Sequence, residues 1–372
     1  MLKIDKTSKL PRYFQLKKIL LENINKGAYQ NGVPLPSIRE LMEECRLSFS
    51  TVNLALRELT NEKIIYPEHG KGYFICAQDQ KSMDCRPLTL ILSSMSKSGV
   101  HNDIIAGMER VATAKGYALV LKNSDRNAAR EKAVLNALVP ENTAGVLFFP
   151  VFSQTGTSHI KKFLQKCIPV VFIDRYPAEL AAHFDYVVPE DRPGAHRATE
   201  YLVKLGHKNI VFLSARLERH FANERLAGFK KALAEHGINL NEKLIRCADF
   251  ANSWHDVGFK MTEDLLRSGL KFTAIFAVND SLAIGAIRAL KKHGLKVPDD
   301  ISVVGFGNDH QAELSEIPLT TVSQNQAEIG ERAAELLIDK IENRSSSVRH
   351  IEVKTALVIR DSCGKCGPQE TS

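Results

Sequence analysis

The chain has 372 residues, of which 44% are hydrophobic and 25% charged, and its formal net charge is +7. This length predicts two or three domains, and the ordinary composition excludes a disordered, collagen-like or membrane-embedded protein. No apolar run approaches the roughly 20 residues that span a bilayer, and residues 1–30 do not have the pattern of a secretory signal. Seven cysteines without a framework spacing therefore indicate reduced thiols in a cytoplasmic protein.

Residues 1–77 have the pattern of a small helical domain that ends in a hairpin. A first helix is predicted over 11–27, and Ser37 opens a second helix by forming a capping box with the glutamate three residues later. A third helix follows over 48–62, and strands are predicted at 64–66 and 73–75. Two short helices joined by a tight turn and followed by a hairpin predict a winged helix-turn-helix, in which the later helix enters the major groove.

Candidate contacts with double-stranded DNA lie on the exposed faces of these helices and at the hairpin tip. They are Arg39, Ser50, Thr51, Asn53, Arg57, His69, Gly70 and Lys71. Arginine and lysine side chains suit phosphates, and asparagine can pair with adenine through two hydrogen bonds. The alternative for Arg39, Arg57, Lys71 and Asn53 is a solvated surface that has no partner.

From residue 88 onward, apolar runs of strand length alternate with amphipathic helices, after a polar linker at 78–87. Near-continuous apolar strands indicate parallel sheets covered on both faces, and the number of strands favours two α/β lobes with a cleft between them. The predicted lobes are 88–188 with 326–353, and 189–322 with 354–363. Residues 364–372 lack apolar periodicity and are expected to form a disordered tail.

Polar residues follow the predicted strands, where ligands bind in open α/β sheets. Among them are Ser94, Asp174, Arg175, Asn279 and Asn308. Hydroxyl, carboxylate, amide and guanidinium groups without a cluster of cations suit a neutral polyhydroxyl ligand. Asn279 also stands where it can simply cap the following helix.

The N-terminal motifs are Leu35-Pro36-Ser37-x-Arg39-Glu40-Leu41, Ser48-x-Ser50-Thr51-Val52, Ala55-Leu56-x-x-Leu59 and His69-Gly70-Lys71-Gly72-Tyr73-Phe74-Ile75. This stretch resembles the winged-helix domain of the GntR family of bacterial transcription regulators. The chain departs from the family pattern at Lys63, where a glycine is usual, at Phe49, where many members have a basic residue, and at Asn53, where arginine is common. The base preference of relatives therefore does not transfer.

The C-terminal motifs are Leu205-Gly206-His207-x-x-Ile210, Arg225-Leu226-Ala227-Gly228-Phe229, Ala277-x-Asn279-Asp280-x-x-Ala283-x-Gly285, Pro298-x-Asp300-Ile301-Ser302-Val303-Val304-Gly305-Phe306 and Leu319-Thr320-Thr321-Val322-x-Gln324. Residues 88–361 resemble the effector domain of the LacI family, which has the periplasmic-sugar-binding-protein fold. The fold expected for the whole chain is therefore α/β, with an N-terminal winged helix-turn-helix and a two-lobed periplasmic-binding-protein-like domain of parallel sheets flanked by helices. This combination resembles the arabinose-repressor architecture.

The LacI resemblance implies roles for residues of the cleft. Asp174 and Arg225 would bind ligand hydroxyls, Asn279 would contact others, Phe250 would stack on a sugar face, and Gln324 would lie where the chain crosses between lobes. Relatives usually have an aspartate after the Gly-Phe pair, where this chain has Gly307, so that contact is either lost or supplied by Asn308. Two alternatives remain open: a structural bridge between Asp174 and Arg225, and plain core packing of Phe250.

These observations predict a sequence-specific transcription regulator that is not an enzyme, since the sequence contains no nucleophile elbow, zincin motif or P-loop. We expect a homodimer that represses carbohydrate-utilisation genes and responds to a monosaccharide, without a cofactor or a metal. The alternatives are a nucleobase, nucleoside or phosphorylated-sugar effector, or an activator. A transport-type binding protein would need an export signal and would have no use for residues 1–76.

Overall fold

The structure is a computed structural model of the chain. It describes residues 4, 11–25, 28–29, 32–61, 64–68, 70–75, 86–94, 101–151, 157–217, 220–249, 253–343 and 347–367. The chain divides into two compact units, Met1–Asp84 and Cys85–Ser372. Within the described ranges, no helix is both long and apolar enough to cross a lipid bilayer.

The first unit has three helices and a hairpin. They are α1 (Arg12–Asn25), α2 (Ile38–Cys45), α3 (Phe49–Asn61), β1 (Ile65–Glu68) and β2 (Gly72–Ile75). The two strands pair antiparallel, with Ile65 opposite Ile75. Buried leucines of all three helices, among them Leu16, Leu41 and Leu56, form one apolar cluster. The predicted winged helix-turn-helix is therefore confirmed.

Local hydrogen bonds define the two ends of α2 and the tight turn that leads from it to α3. The Glu40 backbone N–H donates to Ser37 Oγ at 3.2 Å, and the Ser37 N–H donates to Glu40 Oε2 at 2.7 Å, which confirms the predicted capping box. At the other end of α2, Arg46 adopts a left-handed conformation with φ of 51°, and its N–H donates to the carbonyl of Met42. This reversal stops α2 and allows α3 to begin three residues later.

The second unit contains two six-stranded sheets, one in each lobe. Lobe 1 consists of β3 (Leu88–Leu92), α4 (Asn102–Ala114), β4 (Leu119–Asn123), α5 (Ala128–Ala137), β5 (Gly145–Phe148), α6 (Ser158–Leu164), β6 (Val170–Ile173), β7 (Asp185–Pro189), α12 (Gln326–Asn343) and β13 (His350–Val353). Its strands are all parallel, in the order β13-β7-β6-β5-β3-β4. Every residue of β3, β5 and β6 is buried, because α4 and α12 cover one face and α5 and α6 the other.

Lobe 2 consists of α7 (Asp191–Lys204), β8 (Ile210–Ala215), α8 (His220–Glu235), β9 (Ile245–Ala248), α9 (Trp254–Arg267), β10 (Ala274–Ala277), α10 (Asp280–Lys292), β11 (Ser302–Gly307), α11 (His310–Leu314), β12 (Thr320–Ser323) and β14 (Ala356–Val358). The strand order is β14-β12-β11-β10-β8-β9. The expectation of parallel strands holds except for β14, which pairs antiparallel with β12. The short helix α11 was not predicted, because five residues are too few to show a helical period.

The chain crosses between the lobes three times: between β7 and α7, between β12 and α12, and between β13 and β14. Asn325, in the second crossing, has φ of 52°, and its Nδ2 donates to the Lys354 carbonyl in the third at 2.7 Å. The Arg197 guanidinium donates to the Thr355 carbonyl at 2.7 Å. These bonds connect the second and third crossings to each other, and they connect the third crossing to α7 of lobe 2.

The structure differs from two expectations, the disordered tail at 364–372 and the polar linker at 78–87. The expected disordered tail is wrong for residues 364–367, because the Cys366 N–H donates to the Leu205 carbonyl at 2.8 Å and the Gly364 carbonyl accepts a bond from His207 at 3.1 Å. Residues 368–372 lie outside the described residues. Of the predicted linker, residues 78–85 lie outside them too, whereas the Pro87 carbonyl accepts the Ala144 N–H at 3.0 Å and so belongs to lobe 1.

Candidate functional site

The exposed face of α3 presents Ser50, Leu54 and Arg57, and Asn53 beside them is half-buried. The opposite face is buried in the core of the unit, as the predicted stripe requires. At the start of α3, the Ser48 hydroxyl lies 3.0 Å from the Ser50 hydroxyl. Ser50, Asn53 and Arg57 therefore share one accessible face, whereas their contacts with DNA stay predictions.

Hydroxyl groups form a small network at the start of α3, because Ser48 Oγ also lies 2.8 Å from Thr51 Oγ1. This contact holds the Thr51 side chain against the helix end rather than directing it outward. A hydroxyl can donate and accept at once, so the network retains capacity for a phosphate oxygen. Any contact of Thr51 with DNA would therefore be made by this hydroxyl network as a whole, and that contact stays a prediction.

The basic residues predicted to meet phosphates are exposed and paired with neighbouring carboxylates. Arg39 Nε lies 3.3 Å from Glu43 Oε1, and Lys71 Nζ lies 2.6 Å from Glu68 Oε1. Pairs this exposed contribute about 0–1 kcal/mol, so a phosphate can replace the carboxylate at little cost. Gly70 is exposed at the hairpin tip with φ of 75°, and His69 lies outside the described residues.

Asp174 stands at the end of β6 with φ of 62°, which turns the chain toward the cleft. Its Oδ2 accepts two bonds from the Arg175 guanidinium, at 2.9 Å from Nε and 2.6 Å from Nη2. Burial acts to raise the pKa of Asp174, but the Arg175 guanidinium opposes it through its charge and its hydrogen bonds, and the pKa of Asp174 lies below its ordinary value. Asp174 is therefore an ionised acceptor in the cleft.

Arg225, in α8, is buried and held by lobe 2. Its Nε and Nη2 donate to Asp191 Oδ1 at 2.8 and 2.7 Å, and its Nη1 donates to the Val278 carbonyl. Burial raises the pKa of Asp191 to about 6, against the opposing influence of Arg225. The alternative of a bridge between Asp174 and Arg225 is therefore wrong, since each has another partner.

The two lobes meet across the cleft through aromatic contacts. The Arg175 guanidinium of lobe 1 lies 5.6 Å from the ring centroid of Phe221 in lobe 2, and Arg225 lies 5.2 Å from the same ring. Nearby, Tyr176 Oη lies 3.1 Å from His220 Nε2. The structure thus brings Asp174, Arg175 and Arg225 together around Phe221. Phe221 was not among the predicted residues, although it lies one helical turn before Arg225.

Two further residues of lobe 1 were missed, His101 and Arg126. The His101 ring lies 4.9 Å from that of Phe149, and burial lowers the pKa of His101 to about 4, so the imidazole is neutral at pH 7. Burial and then the Arg175 charge lower the pKa of Arg126. The expectation of a cleft without a cluster of cations stays a prediction.

The other predicted cleft residues have mixed surroundings. Asn279 caps α10, because its Oδ1 accepts the Leu282 N–H at 2.8 Å. Asn308 Oδ1 accepts from Arg360 Nη2 at 2.8 Å, so this side chain is committed within lobe 2. Ser94 and Gln324 are buried just beyond the ends of β3 and β12. Phe250 lies outside the described residues.

A pair of buried carboxyls, Asp280 and Asp309, stands at the ends of β10 and β11. The Asp309 N–H donates to Asp280 Oδ2 at 2.7 Å. Burial raises the pKa of Asp280 to about 6, and burial together with the Asp280 charge raises that of Asp309 to about 8. A Cβ on Gly307 would lie 3.3 Å from Asp309 Oδ1, so this carboxyl occupies the space that an aspartate at 307 would enter.

The described residues contain no group of three or more His, Cys, Asp or Glu side chains placed to hold a metal ion. The Cys363 thiol donates to the Val303 carbonyl at 3.3 Å, and burial raises its pKa to about 11. A thiol that stays protonated is a poor metal ligand. Trp254 packs against the core of lobe 2 at the start of α9.

Two family descriptions match the chain. Residues 12–75 match the bacterial regulatory proteins of the gntR family, and residues 199–363 match the periplasmic-binding-protein-like domain. The first match covers α1 to β2, which is the winged helix-turn-helix, and the second covers most of lobe 2 together with α12 and β13.

Relatives resemble the chain over nearly its whole length. An arabinose metabolism transcriptional repressor of Geobacillus stearothermophilus is 30% identical over 365 residues, which cover 96% of this chain and 99% of the relative. The HTH-type transcriptional repressor PurR of Vibrio parahaemolyticus is 28% identical, over 89% of this chain and 99% of its own. The solved complex of the transcriptional regulator CelR with cellobiose has the same fold, with a TM-score of 0.68 and 22% identity over 88% of this chain and 95% of that one.

Proposed function

The chain belongs to the family of transcriptional repressors that join a gntR-type DNA-binding domain to a periplasmic-binding-protein-like domain, and we propose that it represses carbohydrate-utilisation genes under the control of a small sugar. The observation that carries this proposal is the similarity to the arabinose metabolism repressor, which spans both domains. The finer assignment of the sensor to the LacI type, in an arabinose-repressor architecture, is part of the proposal. So are the boundaries 1–77 for the DNA-binding domain and 88–363 for the sensor.

The DNA-binding part of the proposal places the exposed face of α3 in the major groove and the hairpin tip against the backbone. Arg39 and Lys71 contact phosphates, because their guanidinium and ammonium groups are exposed and held only by weak surface pairs. A single winged helix offers a small interface, so the chain acts as a homodimer on a palindromic operator.

The effector part of the proposal places a neutral monosaccharide in the cleft. Asp174 and Arg175 reach it from lobe 1, and Arg225 and Asn279 from lobe 2, with the Phe221 ring as an apolar platform between them. Each sugar hydroxyl can donate to a carboxylate and accept from a guanidinium. Asp309 replaces Asn308 in our assignment, because the Asn308 side chain is bound to Arg360.

A second candidate effector is an anionic one, such as a phosphorylated sugar. The observation that favours it is the position of two guanidinium groups, those of Arg175 and Arg225, at the same Phe221 ring. A phosphate would neutralise such a pair of guanidinium groups through charge-assisted hydrogen bonds.

Control of DNA binding follows from closure of the cleft. A ligand bound by both lobes favours the closed arrangement by its differential affinity for the two states. Closure changes the spacing of the two recognition helices of a dimer, so both can no longer dock on half-sites at a fixed separation. Operator DNA must then weaken effector binding by the same factor.

The test is operator retardation by the full chain, on a duplex selected from a random pool, with free sugars, their phosphates and purine bases added singly. We expect release by one free sugar, and weaker binding with a flatter salt dependence for an Arg39→Ala/Lys71→Ala double variant. Arg332→Ala, an exposed arginine of α12, is the control that should match the parent chain. Release by a phosphate or a base alone would reject the neutral-sugar assignment, and no retardation of any duplex would reject DNA binding.

A further inference from the structure

The exposed face of α3 contains two large apolar side chains. Phe49 is 57% exposed and Leu54 is 42% exposed, although both belong to a helix whose own core positions are fully buried. The residues of α3 that are buried in the core of the first unit are Val52, Ala55, Leu56 and Leu59. Neither Phe49 nor Leu54 is therefore explained by the packing of the first unit.

The two side chains have a defined arrangement around the helix. At about 100° per residue, Asn53, Arg57 and Ser50 form a continuous polar strip, and Phe49 and Leu54 border it on opposite sides, about 140° apart. The strip contains the amide, guanidinium and hydroxyl groups that hydrogen-bond base edges and phosphates. The apolar pair thus brackets the part of α3 that carries the polar recognition groups.

The chemistry of a base pair limits what such side chains can recognise. Phe and Leu have no donor or acceptor, so they cannot read the N7, O6 or N4 groups that guanine, adenine and cytosine present. Among the four bases, only thymine offers an apolar group in the major groove, its C5-methyl. Contact with that methyl group would also remove apolar side-chain surface from water.

Resting on the proposed role of α3 as the recognition helix, we propose that Phe49 and Leu54 read the C5-methyl groups of thymines on either side of the operator position that the polar strip reads. These residues then set operator specificity by apolar contact, whereas Asn53 and Arg57 supply the hydrogen bonds. The positive charges of Arg39 and Arg57 on the same unit favour a polyanion such as DNA as the occupant of this face.

The test removes the methyl groups from the DNA rather than the side chains from the protein. A duplex is selected from a random pool with the full chain, and each thymine of a half-site is then replaced singly by deoxyuridine, which differs only by the C5-methyl. We expect at least two positions per half-site at which affinity falls about four-fold, the factor for losing one methyl group from an apolar contact.

Variants then assign the positions. Leu54→Ala should bind the thymine duplex more weakly and lose the thymine–deoxyuridine difference at one position, and Phe49→Ala should do so at the other. Val139→Ala removes a side chain of similar exposure, 39%, from lobe 1 and should keep both differences. Melting temperatures equal to that of the parent chain would show that the variants are folded.

Several results would overturn the proposal. They are selected half-sites without thymine, full affinity for every deoxyuridine duplex, and a Leu54→Ala variant that keeps every methyl difference. A change in oligomeric state with unchanged DNA binding would assign the apolar pair to a protein contact instead. Retardation of the thymine duplex by the parent chain separates all these outcomes from a failure of DNA binding itself.

Discussion

At the scale of single residues, Arg225 has a structural task besides its proposed contact with the effector. Replacing it with alanine leaves the buried Asp191 carboxylate without its partner, so we expect the free energy of unfolding to fall by about 3–5 kcal/mol. Chemical denaturation of the full chain measures this. Arg192→Ala breaks the more exposed pair with Glu224 between the same two helices and should cost at most about 1 kcal/mol. Equal losses would contradict the buried pairing.

The expected loss of stability limits what an Arg225→Ala variant can show about effector binding. A substitution to alanine would lower stability and effector binding together, so loss of a sugar response would not identify Arg225 as a ligand contact. A substitution of Asn279 is better suited to testing contact with the effector, because the cap bond of Asn279 is worth only about 1 kcal/mol.

Asp309 gives the chain a pH dependence of stability. Its pKa rises from 3.8 to about 8 on folding, so the folded chain binds more protons than the unfolded one between these values. The stability from this group is present below the unfolded pKa and is lost as the pH rises through about 8. The melting temperature of the parent chain should therefore fall relative to that of Asp309→Asn between pH 5 and pH 9. Asp361→Asn, at an exposed carboxyl, should follow the parent chain, and parallel curves for Asp309→Asn would contradict the assignment.

The positions of cleft residues along the chain were predictable, but their partners were not. Asp174 and Asn279 directly follow apolar strands, and a polar residue at that point is visible in the sequence. The bond from Arg225 to Asp191 joins residues 34 apart and depends on how α7 packs against α8. Arg126 and His101 were missed because no apolar strand pattern ends directly at either residue.

At the scale of elements, glycines set how closely neighbouring helices approach. A Cβ on Gly330 of α12 would overlap the Ile104 carbonyl oxygen of α4, and one on Gly107 of α4 would overlap the Ala327 carbonyl oxygen of α12. Gly330→Ala should therefore force the two helices apart and lower the free energy of unfolding by about 1–3 kcal/mol. Calorimetric melting measures the loss. Gly367→Ala, with no atom within 4 Å of the added Cβ, should change little, and a neutral Gly330→Ala would contradict this packing.

Strand and helix positions were largely predictable because burial on both faces leaves unbroken apolar runs, as in β5 and β10. The antiparallel direction of β14 was not, because its three residues show only that a strand is present. The position of the C-terminal residues against β12 depends on contacts between residues far apart in sequence, such as those of Thr320 with Arg360. Contacts of the same long-range kind, from Cys366 to Leu205 and from His207 to Gly364, explain why residues 364–367 are ordered.

At the scale of the whole molecule, lobe 1 is built from two separate stretches of chain. α12 packs against α4, and β13 pairs with β7, so buried residues of α12 and β13, among them Ile329, Leu337 and Val353, complete a core whose remaining members precede residue 190. A ribosome that has released the chain only as far as residue 325 has made a lobe 1 whose one apolar face is covered by α4 but not by α12. The first unit, by contrast, has its own core by residue 75. A chain terminated at that point would therefore keep a complete winged helix-turn-helix but lack a finished lobe 1, and it would expose apolar surface of the kind that cellular quality control recognises in a defective protein.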